Sequence, residues 1–172
     1  KGTPIELLIL HLNSSTPLLL KIIRGVIPLE SVRLTMQVGS IGHLRLSTFT
    51  GTTNEELEEA LERFERSRGA GLILDLRNNP GGLLSAAIDV TDKFVDQGRI
   101  VSTRGRDLRE SFDYKAHRVG TWRVPLVVLV DQESASASEI FAAAIHDLRR
   151  GTIVGQTSYG KGSVQSIFEY GD

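Results

Sequence analysis

The stretch PLVVLVDQESASASEIFAAAIHDL, residues 125–148, decides the fold that this sequence predicts. Its first six residues, 125–130, are aliphatic after the opening proline and predict a strand that is buried on both faces. After a short polar loop, Ala135–Leu148 predicts a helix rich in alanine. A buried strand that leads directly into a helix is typical of α/β folds, in which helices pack on a sheet.

The same alternation of strand and helix continues on both sides of this stretch. Upstream, helices are predicted at Thr53–Arg68 and Leu83–Val95, with a short apolar strand at Leu72–Leu76 between them and a half-buried strand at Ile41–Phe49 before them. Further strands are predicted at Pro4–Leu12, Leu18–Ile23, Ile100–Thr103, Ser111–Tyr114, Thr152–Val154 and Ser163–Phe168. The sequence therefore predicts an α/β domain that follows a pair of N-terminal strands.

The composition excludes several classes of protein. The chain has 20 Lys and Arg and 21 Asp and Glu, which leaves a net charge of −1. It therefore lacks the surplus of basic residues that would indicate nucleic acid binding. The absence of cysteine excludes a disulfide scaffold, a thiolate metal site and a cysteine nucleophile. The longest apolar runs, 5–12 and 18–23, are far shorter than the roughly 20 residues of a membrane-spanning helix. No metal ion or cofactor is predicted.

Three polar loops follow predicted buried strands, where α/β proteins tend to place their sites. They are Asn78–Gly82, Gln132–Glu139 and Gly155–Gly162. In the second loop, a serine at the start of the helix faces free backbone N–H groups and the positive end of the helix dipole, which favour an attacking alkoxide. Ser134, Ser136 and Ser138 equally suit helix capping and tight packing. The loop alone leaves both interpretations open.

The third loop contains most of a phosphate-binding P-loop, in the pattern Gly155-x-x-x-x-Gly160-Lys161. The next residue is Gly162, whereas a P-loop has Ser or Thr there to bind Mg²⁺. Residues 163–168 also predict a strand, whereas a P-loop opens a helix. Nucleotide binding is therefore not expected.

If Lys161 begins a strand, then Lys161, Ser163 and Gln165 point to the same face. Gln165 can then hold the lysine amine by a hydrogen bond, which makes Lys161 a candidate general base. The alternative is a lysine on a flexible surface turn, which is the commoner environment for this residue.

Four segments stand in an order typical of one protein family. They are Val38–Phe49, Asp75–Leu83, Ser134–Ile140 and Val154–Gln165. In these segments the chain resembles the carboxyl-terminal processing (tail-specific) peptidases, although many members have an aromatic residue where His43 stands. The resemblance covers nearly all of residues 25–168. It implies a crotonase/ClpP-like peptidase core at residues 25–172 and implies that residues 1–24 are the last strands of a PDZ domain.

The resemblance also implies the residues of a Ser–Lys endopeptidase. Ser136, the middle serine of the Ser-Ala-Ser-Ala-Ser motif, is then the nucleophile, Lys161 its base, and Gln165 the residue that orients the lysine. Lys161 must be neutral to accept a proton, and we expect burial beside apolar side chains such as Val164 or Ile140 to favour that state.

The tetrahedral oxyanion of such a reaction needs two backbone donors. The candidates are the N–H group of Ala137, at the helix start, and that of Gly81 or Gly82 in the first loop. We expect Arg77 and Asn78 to shape this loop without taking part in the chemistry.

The likeness implies partners and a compartment. The partners are protein or peptide substrates with free C-termini, with a homo-oligomer or an adaptor protein left open. Nucleic acid and nucleotides are not expected partners. Members of this family work mainly outside the cytoplasm, in the bacterial periplasm or cell envelope or in the plastid lumen.

Three other interpretations share the predicted fold. A non-catalytic peptide-binding module would have the same architecture with a disabled site. An acyl-CoA enzyme of the crotonase type would also use loop N–H groups, but it gives no reason for Lys161 and Gln165 to share a face. A Ser–His–Asp site is not expected, because the four histidines lie outside the three loops. They are His11, His43, His117 and His146.

Overall fold

A computed structural model describes residues 1–25, 30–107, 109, 111–117 and 121–165. The helices are α1 (Thr53–Arg66), α2 (Leu84–Asp92) and α3 (Ala137–Asp147). The strands are β1 (Pro4–Ile9), β2 (Leu18–Ile23), β3 (Val32–Gln37), β4 (Ile41–Leu46), β5 (Gly71–Asp75), β6 (Arg99–Thr103), β7 (Phe112–Lys115), β8 (Leu126–Val130) and β9 (Thr152–Gly155). The predicted α/β class is confirmed.

Five strands form a mixed central sheet in the order β3-β4-β5-β8-β9. β3 and β4 are antiparallel, and the other three neighbouring pairs are parallel. Parallel neighbours need a crossover connection, which α1 provides between β4 and β5 and α3 between β8 and β9. The C-terminal ends of β5, β8 and β9 therefore lie at one edge of the sheet. The three polar loops begin there.

The helices pack on one face of this sheet. Leu44, Leu74 and Val128 are fully buried on that face and join apolar side chains of the helices in a single core. Val127 and Leu129 point to the opposite face and are only half-buried. The prediction that 125–130 is buried on both faces is therefore wrong, because in the described part of the chain the core lies on one side of the sheet.

Two strands differ from the sequence prediction. β3 lies in a segment for which no element was predicted, although Val32, Leu34 and Met36 alternate with polar residues. The strand predicted at Ser163–Phe168 is absent from 163–165, and 166–168 lie outside the described residues. A strand needs a neighbour to satisfy its backbone, and 161–165 pair with none of the described strands.

The N-terminal residues form a separate two-stranded antiparallel sheet of β1 and β2. Several of its aliphatic side chains are exposed, among them Leu8 and Ile23, each at 69%. Two strands alone cannot enclose a core, so this exposure is the expected consequence of their small number. Assignment of residues 1–24 to a PDZ domain stays a prediction. Among the helices in the described ranges, none combines the length and the hydropathy that crossing a bilayer requires.

Candidate active site

Ser136 occupies a strained turn between β8 and α3. Its backbone has φ 56° and ψ −112°, and it is the N-cap residue of α3. A positive φ is uncommon for a residue with a Cβ atom, and such conformations cost about 1–3 kcal/mol and cluster at functional sites. A sharp strand-to-helix turn is also how hydrolases of another fold expose a nucleophilic serine.

The neighbouring serines have structural contacts instead. Ser134 and Ser138 are fully buried. Ser134 Oγ donates to Leu76 C=O at 2.8 Å, and Ser138 Oγ donates to Asn79 C=O at 2.9 Å. Ser136 is half-buried, so among the three serines it is the one that a substrate can reach.

The first loop runs directly beside this turn. Gly81 has φ +100°, and a Cβ atom there would meet Ser136 Cβ at 2.8 Å and Ala137 N at 2.9 Å. Gly82 has φ +147°, and a Cβ atom would lie 2.0 Å from Phe49 C=O. Both positions therefore require glycine: a side chain on Gly81 would push the loop away from the serine, and one on Gly82 would collide with the backbone of Phe49.

The candidate oxyanion donors in the two loops differ in whether their N–H groups already have a hydrogen-bond partner. Gly81 N–H donates to Asn79 Oδ1 at 2.9 Å. Gly82 N–H and Ala137 N–H have no hydrogen-bond partner among the described residues. Of the candidate oxyanion donors, Ala137 and Gly82 are thus the pair whose N–H groups are free.

Asn79 is part of the candidate site, although it was not predicted from the sequence. It is fully buried, its Nδ2 donates to Leu46 C=O at 2.8 Å, and its own carbonyl accepts from Ala135 N–H at 3.0 Å. It therefore joins β4, the glycine loop and the serine loop. Its neighbour Asn78, with φ 54°, donates its N–H to Asp131 at 2.9 Å.

Glu139 brings the serine and lysine loops together. Its Oε2 accepts from Ser136 N–H at 2.8 Å and from Lys161 N–H at 2.9 Å. Its Oε1 accepts from Ser158 Oγ at 2.7 Å and from Gly160 N–H at 2.6 Å. Two nitrogen atoms that donate hydrogen bonds to the same oxygen lie within about 6 Å of each other. The backbones of Ser136 and Lys161 are therefore close.

These contacts also affect the pKa of Glu139. Burial of the carboxyl group raises its pKa, but the donors from Ser158, Gly160, Ser136 and Lys161 outweigh this and hold the pKa below its usual value. Glu139 was likewise not predicted from the sequence. Its position three residues after Ser136 is a capping-box spacing, and this signal was available in the sequence.

The side chains of the lysine segment are exposed. Lys161, Val164 and Gln165 are all exposed, and Ile140 is half-buried. The expected burial of Lys161 against Val164 and Ile140 is therefore wrong for the described residues, since 161–165 lie on the surface and not in a strand. For the same reason, the shared strand face expected for Lys161, Ser163 and Gln165 is not observed.

A second polar cluster surrounds Asp75 at the end of β5. This buried carboxylate accepts from Arg77 Nη2 at 2.7 Å, from His43 Nε2 at 3.1 Å and from Arg45 Nη1 at 3.1 Å. Burial raises the pKa of Asp75, but hydrogen bonds from Arg77 and His43 and the charge of Arg45 lower it far more. His43 makes no hydrogen bond to Ser136 within the described residues.

The remaining histidines do not approach the serine loop by any hydrogen bond of the described residues. His117 pairs with Asp92 and His146 with Asp147, and His11 is exposed. Among the described residues, no three His, Asp or Glu side chains gather as a metal site would require.

The geometry of the third loop argues against phosphate binding. The N–H groups of Gly160 and Lys161, which a P-loop would present to a phosphate, donate to the Glu139 carboxylate. No helix follows within 161–165. A carboxylate at the centre of this loop would repel a phosphate.

The fold and the site define a serine-hydrolase-like α/β domain, and comparison with known proteins identifies its family. Residues 40–172 match peptidase family S41, and the chain belongs to this family. The predicted resemblance to carboxyl-terminal processing peptidases is confirmed.

Several relatives have names that agree with this family. The chain is 45% identical to the carboxy-terminal-processing protease of Bartonella bacilliformis over 99% of this chain and 40% of that protein. It is 41% identical to the carboxyl-terminal-processing protease of Synechocystis over 100% of this chain and 41% of that protein. A chloroplastic carboxyl-terminal-processing peptidase of Arabidopsis thaliana is 36% identical over 77% of this chain and 27% of its own length.

A solved structure has the same fold. The photosystem II D1 C-terminal processing protease superposes with a TM-score of 0.69 and 30% identity over 96% of this chain and 46% of that protein. The chain thus spans less than half the length of these relatives.

Proposed function

We propose that this chain is the core of a serine endopeptidase that cleaves protein substrates near their C-termini. Ser136 is the nucleophile, Lys161 is the general base and Gln165 orients the lysine amine. Gly82 N–H and Ala137 N–H form the oxyanion hole. Gly81 supports the loop, because its own N–H is bonded to Asn79.

The reaction is acyl transfer through a covalent intermediate. Substrate bound over the exposed Lys161 removes water from its amine, which favours the neutral form. Neutral Lys161 Nζ then accepts the proton of Ser136 Oγ while the oxygen bonds to the substrate carbonyl carbon. The oxyanion collapses, the C–N bond breaks, and the lysine ammonium gives its proton to the leaving amine. A water molecule then hydrolyses the ester by the same steps. Each oxyanion donor contributes about 10²–10³ in rate.

The observation that supports this proposal best is the shared Glu139 oxygen. Because Oε2 accepts from both Ser136 N–H and Lys161 N–H, the backbones of these two residues, the proposed nucleophile and the proposed base, lie close together. The strained backbone of Ser136 supports the proposal too, as do the N–H groups of Gly82 and Ala137, which have no partner in the part of the chain that the structure describes.

The wider proposal follows the relatives. Substrates are proteins or peptides with a free C-terminus, the core is of the crotonase/ClpP type, and the exposed β1–β2 hairpin belongs to a PDZ domain that presents the substrate. A homo-oligomer or an adaptor is compatible with the exposed hairpin. The protein acts outside the cytoplasm, in a periplasm, cell envelope or plastid lumen; three of the relatives are named as chloroplastic.

The test is cleavage of an unfolded protein by purified wild type and variants. Ser136→Ala and Lys161→Ala are expected to lower kcat at least about 10³-fold with an unchanged circular dichroism spectrum. Lys115→Ala, which alters an exposed lysine on β7, is the matched control and keeps full activity. His43→Ala also retains activity if lysine is the base.

Two results would overturn the proposal. Loss of cleavage in His43→Ala but not in Lys161→Ala would assign the base to the His43–Asp75 pair. Absence of cleavage in the wild type, with equal peptide affinity in wild type and Ser136→Ala, would identify a peptide-binding module.

A further inference from the structure

The turn that carries Lys161 is attached to the serine loop mainly through one side chain. Among the described residues, Ser158, Gly160 and Lys161 each donate a hydrogen bond to Glu139. Tyr159 N–H donates to Ser134 C=O at 3.0 Å. Three of these four contacts therefore end on the Glu139 carboxylate.

An ordinary helix cap does not account for this arrangement. In a capping box the third helical residue bonds only to the N-cap N–H, which here is the contact from Ser136 N–H to Oε2. The three other donors come from residues 19 to 22 positions further along the chain. Hydrogen bonds to an ionised acceptor are roughly twice as strong as neutral ones. The carboxylate is therefore a bridge between two loops as well as a cap.

The exposed side chain of Lys161 makes this backbone anchor important. A long flexible side chain reaches a defined point only if its own Cα atom is fixed, and small displacements of a catalytic group cost large factors in rate. The N–H of Lys161 and the N–H of Ser136 share one oxygen, so any movement of Glu139 alters the spacing of the pair.

We propose that Glu139 is a positioning residue that fixes the Lys161 turn against Ser136 through its two carboxylate oxygens. This inference rests on the proposed Ser–Lys chemistry for its effect on rate. The carboxylate does not touch substrate and transfers no proton. It sets the distance over which Lys161 must reach Ser136 Oγ.

The experiment compares Glu139→Gln with Glu133→Gln. Glu133 is an exposed carboxylate in the same loop and serves as the matched control. Glutamine keeps the size of the side chain but replaces one acceptor oxygen by a donor NH₂ group. The first readout is amide hydrogen exchange at Gly160 and Lys161, and the second is kcat and KM on an unfolded protein substrate.

In Glu139→Gln, exchange at Gly160 and Lys161 is expected to accelerate at least about 10-fold. The value of kcat is expected to fall about 10²-fold with KM within twofold of wild type. Glu133→Gln should behave as wild type in both readouts. In a Lys161→Ala background, Glu139→Gln should cause no further loss of kcat, because the two residues act through the same step.

Glu139→Asp separates positioning from helix capping and folding. It keeps a negative charge in the first turn of α3, but one methylene less prevents it from reaching Gly160 and Lys161 together with Ser136. It is therefore expected to resemble Glu139→Gln in exchange and kcat. Wild-type behaviour of Glu139→Asp would overturn the proposal.

The two readouts distinguish the failure of this inference from failure of the proposed function. Unchanged exchange at Gly160 and Lys161 in Glu139→Gln overturns the bridge, whether or not the wild type cleaves protein. Faster exchange with unchanged kcat in an active enzyme overturns the positioning role. An inactive wild type overturns the peptidase proposal, and with it any effect of Glu139 on rate.

Discussion

At the scale of single residues, the site depends on side chains that hold backbone groups in place. Asn79 satisfies Leu46 C=O and Gly81 N–H from one buried amide, and Glu139 accepts donors from two loops. Neither is a nucleophile or a base. Their effect is to let Ser136 and the glycine loop keep backbone conformations that cost free energy elsewhere.

Asn79→Ala is expected to destabilise the fold and to reduce activity together. It leaves Leu46 C=O and Gly81 N–H buried without a partner, at a cost of about 1–3 kcal/mol each. Urea unfolding at pH 7 measures the change. Asn13→Ala, in the exposed turn between β1 and β2, is the control and should change the unfolding free energy by less than about 0.5 kcal/mol. Wild-type stability in Asn79→Ala would show that the loop is held by other contacts.

At the scale of elements, the packing of α1 includes one aromatic ring that fits between two glycines. Phe64 is 1% exposed, and its ring lies where Cβ atoms on Gly42 and Gly69 would be, at 2.6 Å and 2.0 Å. The two glycines therefore make the space that the ring fills. α1 ends at Arg66, and Gly69, three residues further on, completes the pocket for the Phe64 ring.

Phe64→Ala is expected to lower the free energy of unfolding by about 3–5 kcal/mol, because it removes a fully buried ring and leaves a cavity. Phe112→Ala is the matched control, since Phe112 is 53% exposed on β7 and its removal should cost less than about 1 kcal/mol. Chemical denaturation measures the change in the free energy of unfolding for both variants. Equal losses in the two variants would contradict the packing described for α1.

The sequence could predict most elements because their apolar periodicity is strong. Leu57, Leu61 and Phe64 define the buried stripe of α1, and the aliphatic run before Ser136 defines β8. The absence of a strand at 163–165 could not be predicted from the sequence. The alternation of residues there favours a strand only where a neighbouring strand offers backbone hydrogen-bond partners. The alternation of Val32, Leu34 and Met36 and the Gly39-Ser40 turn after it were both present in the sequence, so β3 could have been predicted.

The candidate site was predictable in its loops but not in its internal contacts. Strand ends placed Ser136, Gly82 and Lys161 at one edge of the sheet, since C-terminal ends of parallel strands meet there. Choosing Ser136 over Ser134 required a family resemblance, whereas in the structure the burial of Ser134 and Ser138 favours Ser136 as the candidate. The contact from Lys161 to Glu139 depends on the tertiary course of residues 155–161, which no local pattern encodes.

At the scale of the whole molecule, several carboxylates are more acidic than in an unfolded chain. The pKa of Asp75 and that of Glu139 are lowered, since their donors outweigh the effect of burial. The pKa of Glu56 is lowered in the same way by Thr52, Ser31 and Val32. The unfolded chain therefore binds more protons than the folded one in acid.

This difference predicts loss of stability at acid pH. A carboxyl group whose pKa is lower in the folded state than in the unfolded state stabilises the fold. This stabilisation is fully present when the pH is above the pKa of the unfolded state, near 4, and it is lost as the pH falls through the pKa of the folded state. The midpoint of urea unfolding should therefore be constant from pH 7 to about 5 and should fall below that. Asp75→Asn should be less stable at pH 7 and show a shallower fall. A midpoint independent of pH would contradict the lowered pKa values.

The order of elements around the site has a consequence for the tolerance of the chain to insertions. Ser136, Glu139 and Lys161 all lie within the single unit β8-α3-β9 and its following turn, whereas Gly82 comes from the loop after β5. Residues added in the hairpin β6–β7, which joins the two parts, would lengthen a surface connection at small entropic cost. Residues added between α3 and Lys161 would displace the turn, so that Gly160 N–H and Lys161 N–H would no longer meet the Glu139 carboxylate. Homologues of different length are therefore expected to vary at 104–111 and to keep a constant spacing between the serine and the lysine.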